Sequence, residues 1–270
     1  MNNIYCPCCL KKEIRKKFIS YNNVKYSICN NCNTSYQNPP LKIEYSEQGW
    51  GKIIDPDNNV RDMRKERNFK IKNWYGETIS NINKLNGGNI LDIGCGLGFF
   101  LSAIDSKWNK YGLETSNQSI NFIKENFKDI NICHGTIEEN DLKNDLRFDV
   151  IFFYHVIEHL HNPLQAIDKI KKMLKTGGLL ILGTPNNTSI CARIFGKNYR
   201  MLSPGHVFLT SYKQMKKILL EKDFSIEKEE FPFFKTDYFT FSNFLRLFLI
   251  NKISPPFYGN LMTFYARKNK

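Results

Sequence analysis

Ile90-Leu91-Asp92-Ile93-Gly94-Cys95-Gly96-Leu97-Gly98 is the stretch that decides the fold. Its first four residues are apolar apart from one aspartate, as in a strand of a covered parallel sheet. Its last five place a glycine at every second position. Glycines where a strand turns into a helix let the backbone approach a ligand closely. A dinucleotide loop of the Gly-x-Gly-x-x-Gly kind needs its third glycine at position 99, where this chain has Phe99. The tighter Gly-x-Gly-x-Gly spacing leaves room for a nucleoside with an amino-acid tail, without requiring a pyrophosphate on the helix N-terminus. Glu114 follows 22 residues after Asp92, at the end of the next apolar run. A carboxylate there can accept hydrogen bonds from both ribose hydroxyls.

Working outward, β and α patterns alternate. Short apolar runs predict strands at 89–93, 111–115, 130–134, 148–155 and 179–183. Helical patterns fall after the glycines to about 105, at 117–126 and from 162 to 174. This alternation predicts a parallel sheet with helices on both faces. On the N-terminal side, 61–85 can be helical and ends at Asn86-Gly87-Gly88, a plausible helix stop, while 41–60 reads as a loop. On the C-terminal side, 186–210 shows no clear period and reads as an insertion. A helix at 211–221, a strand at 224–231, an aromatic helical segment at 238–250 and a strand at 261–266 complete the pattern. The expected domains are 1–40, a linker and helical segment at 41–85, and the main α/β domain at 86–270.

The eight cysteines argue for metal rather than disulfides. Cys6, Cys9, Cys29 and Cys32 form two Cys-x-x-Cys pairs with 19 residues between them, the spacing of a tetrahedral thiolate zinc site. Cys8 is an extra thiol that could stand in for Cys9. A module of 40 residues buries little core, so bound zinc would supply its folding energy. Cysteines used this way fit a reducing, cytoplasmic setting. No apolar run reaches the roughly 18 residues of a membrane span, and the start of the chain lacks the pattern of a secretory leader. The net charge of +13 favours anionic partners or simply a solvated surface.

The chain resembles the class I S-adenosylmethionine-dependent methyltransferases, in particular their ubiquinone-type and polysaccharide-associated branch. Leu91 to Gly98 is similar to that family's first motif. Phe148-Asp149-Val150-Ile151 through His155-Val156-Ile157-Glu158-His159-Leu160-His161-Asn162-Pro163 resembles its fourth-strand motif, and Leu174-Lys175-Thr176-Gly177-Gly178 with Thr184-Pro185-Asn186 its fifth-strand segment. The resemblance covers about 60–270. It implies a Rossmann-like α/β fold with a seven-stranded sheet whose last strand is antiparallel, here carrying a small zinc-ribbon-like module at its N-terminus. It implies S-adenosylmethionine as cofactor, with Asp92, Gly94, Cys95, Gly96 and Gly98 around its methionine and ribose portion and Glu114 on the ribose. Thr136 and Ile137, with Glu138, would flank the adenine, and the backbone at Tyr154 and His155 would meet the amino-acid tail.

Chemistry is expected beyond the carboxyl ends of the strands, where His155, Glu158 and His159 follow the fourth strand. His155 or His159 could act as general base. The three together could hold a divalent metal, since ubiquinone-type relatives place ligands at matching positions, although His155 stands where the family has glutamate. They could also merely brace the loop. His206, in the insertion that covers the acceptor site in this family, is a second candidate base, and Tyr199 and Arg200 could bind a ring or a phosphate. The apolar segment 239–250 reads as core, as an interface, or as a helix lying on a membrane surface. The resulting expectation is a cytoplasmic methyltransferase acting on a small anionic or sugar-linked acceptor, a sugar nucleotide or another cell-surface polysaccharide precursor. A ribosomal RNA methyltransferase is the runner-up, supported by the positive charge. A non-catalytic zinc-ribbon scaffold is the third reading.

Overall fold

The structure, a computed structural model, describes residues 5–41, 52–140, 142 and 145–269. Part of the expected loop, 42–51, lies outside the described residues. The strands that matter are β1 Ile14–Ile19, β2 Lys25–Cys29, β3 Ser35–Gln37, β4 Lys52–Ile54, β5 Val60–Asp62, β6 Gly88–Ile93, β7 Trp108–Glu114, β8 Ile130–His134, β9 Phe148–Tyr154, β10 Leu174–Pro185, β11 Phe208–Leu209, β12 Phe224–Glu230 and β13 Leu261–Lys268. Seven of them form one sheet in the order β12-β13-β10-β9-β6-β7-β8. β6 runs parallel to β7 and β9, and β7 parallel to β8. The sheet is mixed, with its last strands antiparallel.

The chain divides into two compact units. One comprises Glu44–Tyr154, Lys169–Leu182 and Arg267–Lys270. Its core is the apolar middle of the parallel strands, with Ile90, Leu91, Val150, Ile151 and Phe153 fully buried. Side chains from both faces are covered, which is why these strands read as unbroken apolar runs. The helix after the glycine loop is shorter than expected, Phe99–Ser102. Ser102 Oγ donates to Phe99 O at 2.8 Å, a local bond that competes with helix continuation. The expected helix at 61–85 is likewise divided. β4 and β5 pair as a hairpin, Arg67–Phe69 is α-helical, Lys70–Trp74 is a π-helical segment, and the longer regular helix runs Gly76–Asn83; glycine, a poor helix interior residue, marks the break. Thr176-Gly177-Gly178 lies within β10, which starts before the predicted strand at 179–183; Gly177 has φ +71°, so the strand is kinked there as at a bulge.

The other unit comprises Met1–Ile43, His155–Asp168 and Gly183–Ala266. Here β1, β2 and β3 form an antiparallel sheet whose fourth strand is β11. Tyr26, Cys191, Phe195, Tyr199, Leu202 and Leu209 pack in one cluster. The stretch read as a structureless insertion therefore holds a short helix, Ile190–Phe195, capped by Ser189 accepting from Ala192 N–H, and the strand β11. Six residues are too few to show a helical period, and β11 exists only through pairing with β3, far away in sequence. The aromatic tail is α-helical over Phe241–Leu245 and continues as a 3₁₀ turn over Arg246–Phe248. Around it Phe234, Phe239, Phe241, Phe244 and Phe248 are exposed. Among the described residues no helix is long and apolar enough to cross a membrane.

Ser211 ties two parts of this unit together. Its Oγ accepts from Gln214 N–H, capping the helix Tyr212–Glu221, and donates to Cys32 O at 3.1 Å. Ser211→Ala is expected to destabilise the protein by about 1–2 kcal/mol through loss of the cap, read as a lower midpoint in urea at unchanged slope. An unaltered midpoint would mean that water replaces both bonds at no cost.

Candidate active site and cysteine cluster

The glycine loop begins where β6 ends. Gly94, Gly96 and Gly98 all have positive φ, between +54° and +73°, a region that L side chains rarely adopt. A Cβ on Gly98 would also lie 2.9 Å from Ile123 Cγ1. Gly94 N–H donates to Leu113 O at 2.7 Å, so the loop is pinned to the end of β7. The Cys95 side chain is buried and turned back toward β7, where a Cβ on Gly112 would meet its sulfur at 2.8 Å. Only the backbone of Cys95 therefore belongs to the loop surface, and Gly112, which nothing in the motif marks, makes room for it.

Glu114 is 3 % exposed. Its Oε2 accepts from Gly96 N–H at 2.8 Å, and its Oε1 from Thr115 N–H at 2.8 Å and Ser116 N–H at 3.0 Å. The two oxygens offer about four acceptor positions. The Gly96 bond ties the glycine loop to the end of β7, while Oε1 serves the residues that follow, Thr115 Oγ1 also lying 3.4 Å from it. Burial first, and then the neighbouring Glu114 charge, push the Asp92 carboxyl well above the usual carboxylate range. Thr136 lies in a turn after β8, its N–H donating to Glu139 O at 2.7 Å and its Oγ1 accepting from Glu139 N–H at 3.0 Å. Ile137 is buried as a core side chain. Tyr154 stacks on Phe152 with centroids 5.2 Å apart, and Tyr75 stands edge-on to both, a packing arrangement the motifs do not reveal.

S-adenosylmethionine is the group this loop implies, and the residues fit it. Three glycines in left-handed conformations form a cradle that side chains would strain, and a buried carboxyl group stands at or next to the end of each of two neighbouring parallel strands.

His155 follows directly in the chain. It has φ +58°, costly for a residue with a Cβ, and its Nδ1 faces Glu158 Oε1 at 3.2 Å. Glu158 is fully buried, and Thr184 Oγ1 donates to its Oε2 at 3.1 Å. Burial raises its pKa, but the His155 hydrogen bond and the charges of His155, His159 and His206 outweigh that and hold it at about 2. His159 Nδ1 meets Gly205 O at 2.7 Å and His206 Nδ1 meets Met201 O at 2.6 Å. A carbonyl oxygen only accepts, so both Nδ1 atoms carry a proton, and in the neutral ring it is Nε2 that keeps the lone pair. The two rings lie 4.9 Å apart. Burial, and then the charge of His159, lower the His206 pKa to about 4.

The structure thus brings His159 and His206 together, from segments 47 positions apart in the chain. Ligand atoms of Glu158, His159 and His206 all lie within 4.8 Å of one another and could hold a cation. His155, part of the metal set expected from the sequence, is outside this group and is hydrogen-bonded to Glu158 instead. Thr184, Gly205 and Met201, which orient these side chains, carry no sequence signal of that role. Tyr199 and Arg200 are both buried, Tyr199 donating to Asn186 O at 3.0 Å and Arg200 Nη1 to Ser254 O at 3.3 Å.

Cys6, Cys9, Cys29 and Cys32 converge, with Sγ–Sγ distances of 3.5 Å for Cys6–Cys32 and for Cys9–Cys29. Zn–S bonds of about 2.3 Å place tetrahedral sulfurs about 3.8 Å apart, so the four thiols fit a zinc ion. The Cys6 hydrogen bond draws the Cys32 pKa down to about 5. Cys8 is not in the group; it is buried, and burial pushes its thiol pKa up.

Comparisons with known proteins bear on the family and the fold. Residues 63–229 match the family model described as a methyltransferase domain. The mitochondrial ubiquinone biosynthesis O-methyltransferase of Dictyostelium discoideum is 28 % identical over 192 residues, 61 % of this chain and 60 % of that protein. The ubiquinone biosynthesis O-methyltransferase of Rickettsia prowazekii (strain Madrid E) is 35 % identical over 144 residues, 50 % of this chain and 54 % of that protein. The chain thus spans about half to three fifths of the length of these curated relatives. Among solved structures, magnesium protoporphyrin IX methyltransferase from Synechocystis PCC 6803 with bound SAH superposes with a TM-score of 0.55 at 14 % identity, covering 78 % of this chain and 89 % of that one. The YcgJ protein from Bacillus subtilis gives a TM-score of 0.55 at 14 % identity, covering 72 % and 97 %. The fold is theirs, and with its family model matched over residues 63–229 the chain belongs to the methyltransferase-domain family.

Proposed function

We propose that the protein methylates a hydroxyl group of a small molecule using S-adenosylmethionine, with a histidine of the His159–His206 pair as the base. The observation that carries this reading is the paired imidazoles. Both are tied through Nδ1 to backbone carbonyls and have Nε2 free, beside a buried, ionised Glu158. When bound, S-adenosylmethionine supplies a methyl group on a positively charged sulfur, a leaving group that needs no protonation. Gly94, Gly96 and Gly98 would hold its methionine and ribose part and Glu114 the ribose. Thr136 and Ile137 would lie by the adenine, with the Tyr154–His155 backbone at the amino-acid tail. An acceptor hydroxyl would give its proton to Nε2 as the carbon–oxygen bond forms, and Glu158 would stabilise the resulting imidazolium. Zinc on Cys6, Cys9, Cys29 and Cys32 would have a structural role.

Two acceptor classes follow, each on its own support. The relatives named as ubiquinone biosynthesis O-methyltransferases support a hydroxyl on a quinone-type ring. The cysteine module and the surplus of 39 basic over 26 acidic residues support a sugar nucleotide or another polysaccharide precursor.

Calorimetric titration with S-adenosylmethionine and S-adenosylhomocysteine tests the cofactor part. Micromolar binding of both is expected, lost on Gly96→Arg, where a long side chain must also adopt positive φ. Zinc-loaded, folded protein that binds neither would overturn the reading. Turnover on a catechol and on nucleoside-diphosphate sugars then separates the two acceptors. If His206 is the base, kcat/KM stays flat on the acid side until about pH 4 and falls as Nε2 becomes protonated below that. An acid limb at the ordinary histidine value of about 6.5 would reassign the base.

A further inference from the structure

A cavity of about 540 Å³ lies between β1 and β2 on one side and the helix Ile190–Phe195 with its following turn on the other. Its volume suits a small molecule. Arg15 and Lys16 border it from β1, and Arg193 and Lys197 from the opposite wall. Among the described residues that line it there is no carboxylate. None of these four side chains has a hydrogen bond or ion pair to a described residue. Some basic groups elsewhere in the protein are matched, as in Lys110–Asp129, Lys175–Asp149 and Lys222–Asp168; these four are instead gathered around one concavity. Four like charges around one concavity repel one another and raise its potential for anions. Two of them are guanidinium groups, whose planar fork matches phosphate oxygens in pairs. Part of the remaining wall is apolar, with Phe18, fixed by stacking on Tyr26 at 5.8 Å, and Leu202.

We propose that this cavity binds a diphosphate ester, its phosphates among Arg15, Lys16, Arg193 and Lys197 and its organic body against Phe18 and Leu202. A nucleoside diphosphate and a prenyl diphosphate share this chemistry. The assignment stands on the cavity alone and does not depend on the methyl-transfer reading.

Titration calorimetry of the zinc-loaded full chain with inorganic pyrophosphate, UDP and geranyl diphosphate tests it. Pyrophosphate is expected to bind, and one ester more tightly than pyrophosphate. A preference for UDP identifies a nucleotide source, and one for geranyl diphosphate a prenyl source. Arg193→Glu with Lys197→Glu should weaken all three by about tenfold or more, and Arg15→Gln with Lys16→Gln should weaken them less. All four side chains are exposed, so the thermal midpoint should not change. Absence of binding by all three ligands, or equal affinity in wild type and both variants, overturns the proposal. So does binding of a structured RNA by a protein that ignores pyrophosphate, which would make the surface a polyanion track.

Discussion

Changing both His159 and His206 to alanine is expected to lower kcat by about 10²–10⁴-fold, the range that a positioned base supplies, without altering affinity for S-adenosylmethionine. The rings stand 4.9 Å apart and each is oriented by its own backbone carbonyl, so either can partly cover for the other. Single alanine variants should therefore lose less than the pair, and their effects should not add. Glutamine at each position separates base from brace. Its amide can still bond Gly205 O or Met201 O but cannot take a proton near neutral pH, so a base role predicts low kcat in both variants and a bracing role predicts recovery with glutamine. Glu158→Gln should lower kcat as well, because an imidazolium formed beside it would lose the buried negative charge. Unchanged turnover in the double alanine variant ends the base assignment. Loss of cofactor binding together with turnover would instead show that the segment after β9 had lost its structure.

Much of this architecture is legible locally. The strand at 130–134 and the helix at 117–126 have the bounds their apolar periods indicate, because each depends mainly on which face is buried. The glycine loop is legible for the same reason, since its φ angles are a property of the residues themselves. What escapes is nonlocal. β11 pairs with β3 across more than 170 positions, and nothing in Phe208-Leu209 announces it. The carbonyl partners of His159 and His206 are backbone atoms, which every residue possesses, so no residue type marks Gly205 or Met201. Glu114 shows the converse: its place at the strand end is legible, but its bond to Gly96 N–H, which makes it a brace of the glycine loop, is not.

Removing zinc is expected to have the second large effect, and the path runs through the loop that carries His206. Tyr26, on β2 of the cysteine sheet, has its hydroxyl 2.9 Å from both Ser203 O and His206 O. Gln37, on β3, donates through Nε2 to Pro204 O at 2.8 Å and His206 O at 3.1 Å, and through its backbone N–H to Val207 O at 2.8 Å. Val207 N–H in turn donates to Glu158 O at 2.8 Å, and Gln214 Nε2 to Cys8 O at 3.0 Å. The cysteine sheet thus holds the 203–207 loop from one side. Zinc contributes about 10–16 kcal/mol to the folding of comparable small modules, far more than a short three-stranded sheet supplies alone. Chelation, or Cys32→Ser, should therefore release the loop and cut kcat by about tenfold or more, with S-adenosylmethionine affinity retained because the glycine loop belongs to the other compact unit. Tyr26→Phe is the finer probe. It leaves the cysteines and the ring in place, removes only the hydroxyl, and should lower kcat by a few-fold at unchanged zinc content, about one hydrogen bond's worth. Metal analysis of untagged protein comes first, since a chain that binds no zinc has no such brace. If zinc is bound but its removal leaves kcat intact, the module stabilises itself alone and the position of His206 is set within its own loop, by Met201 O.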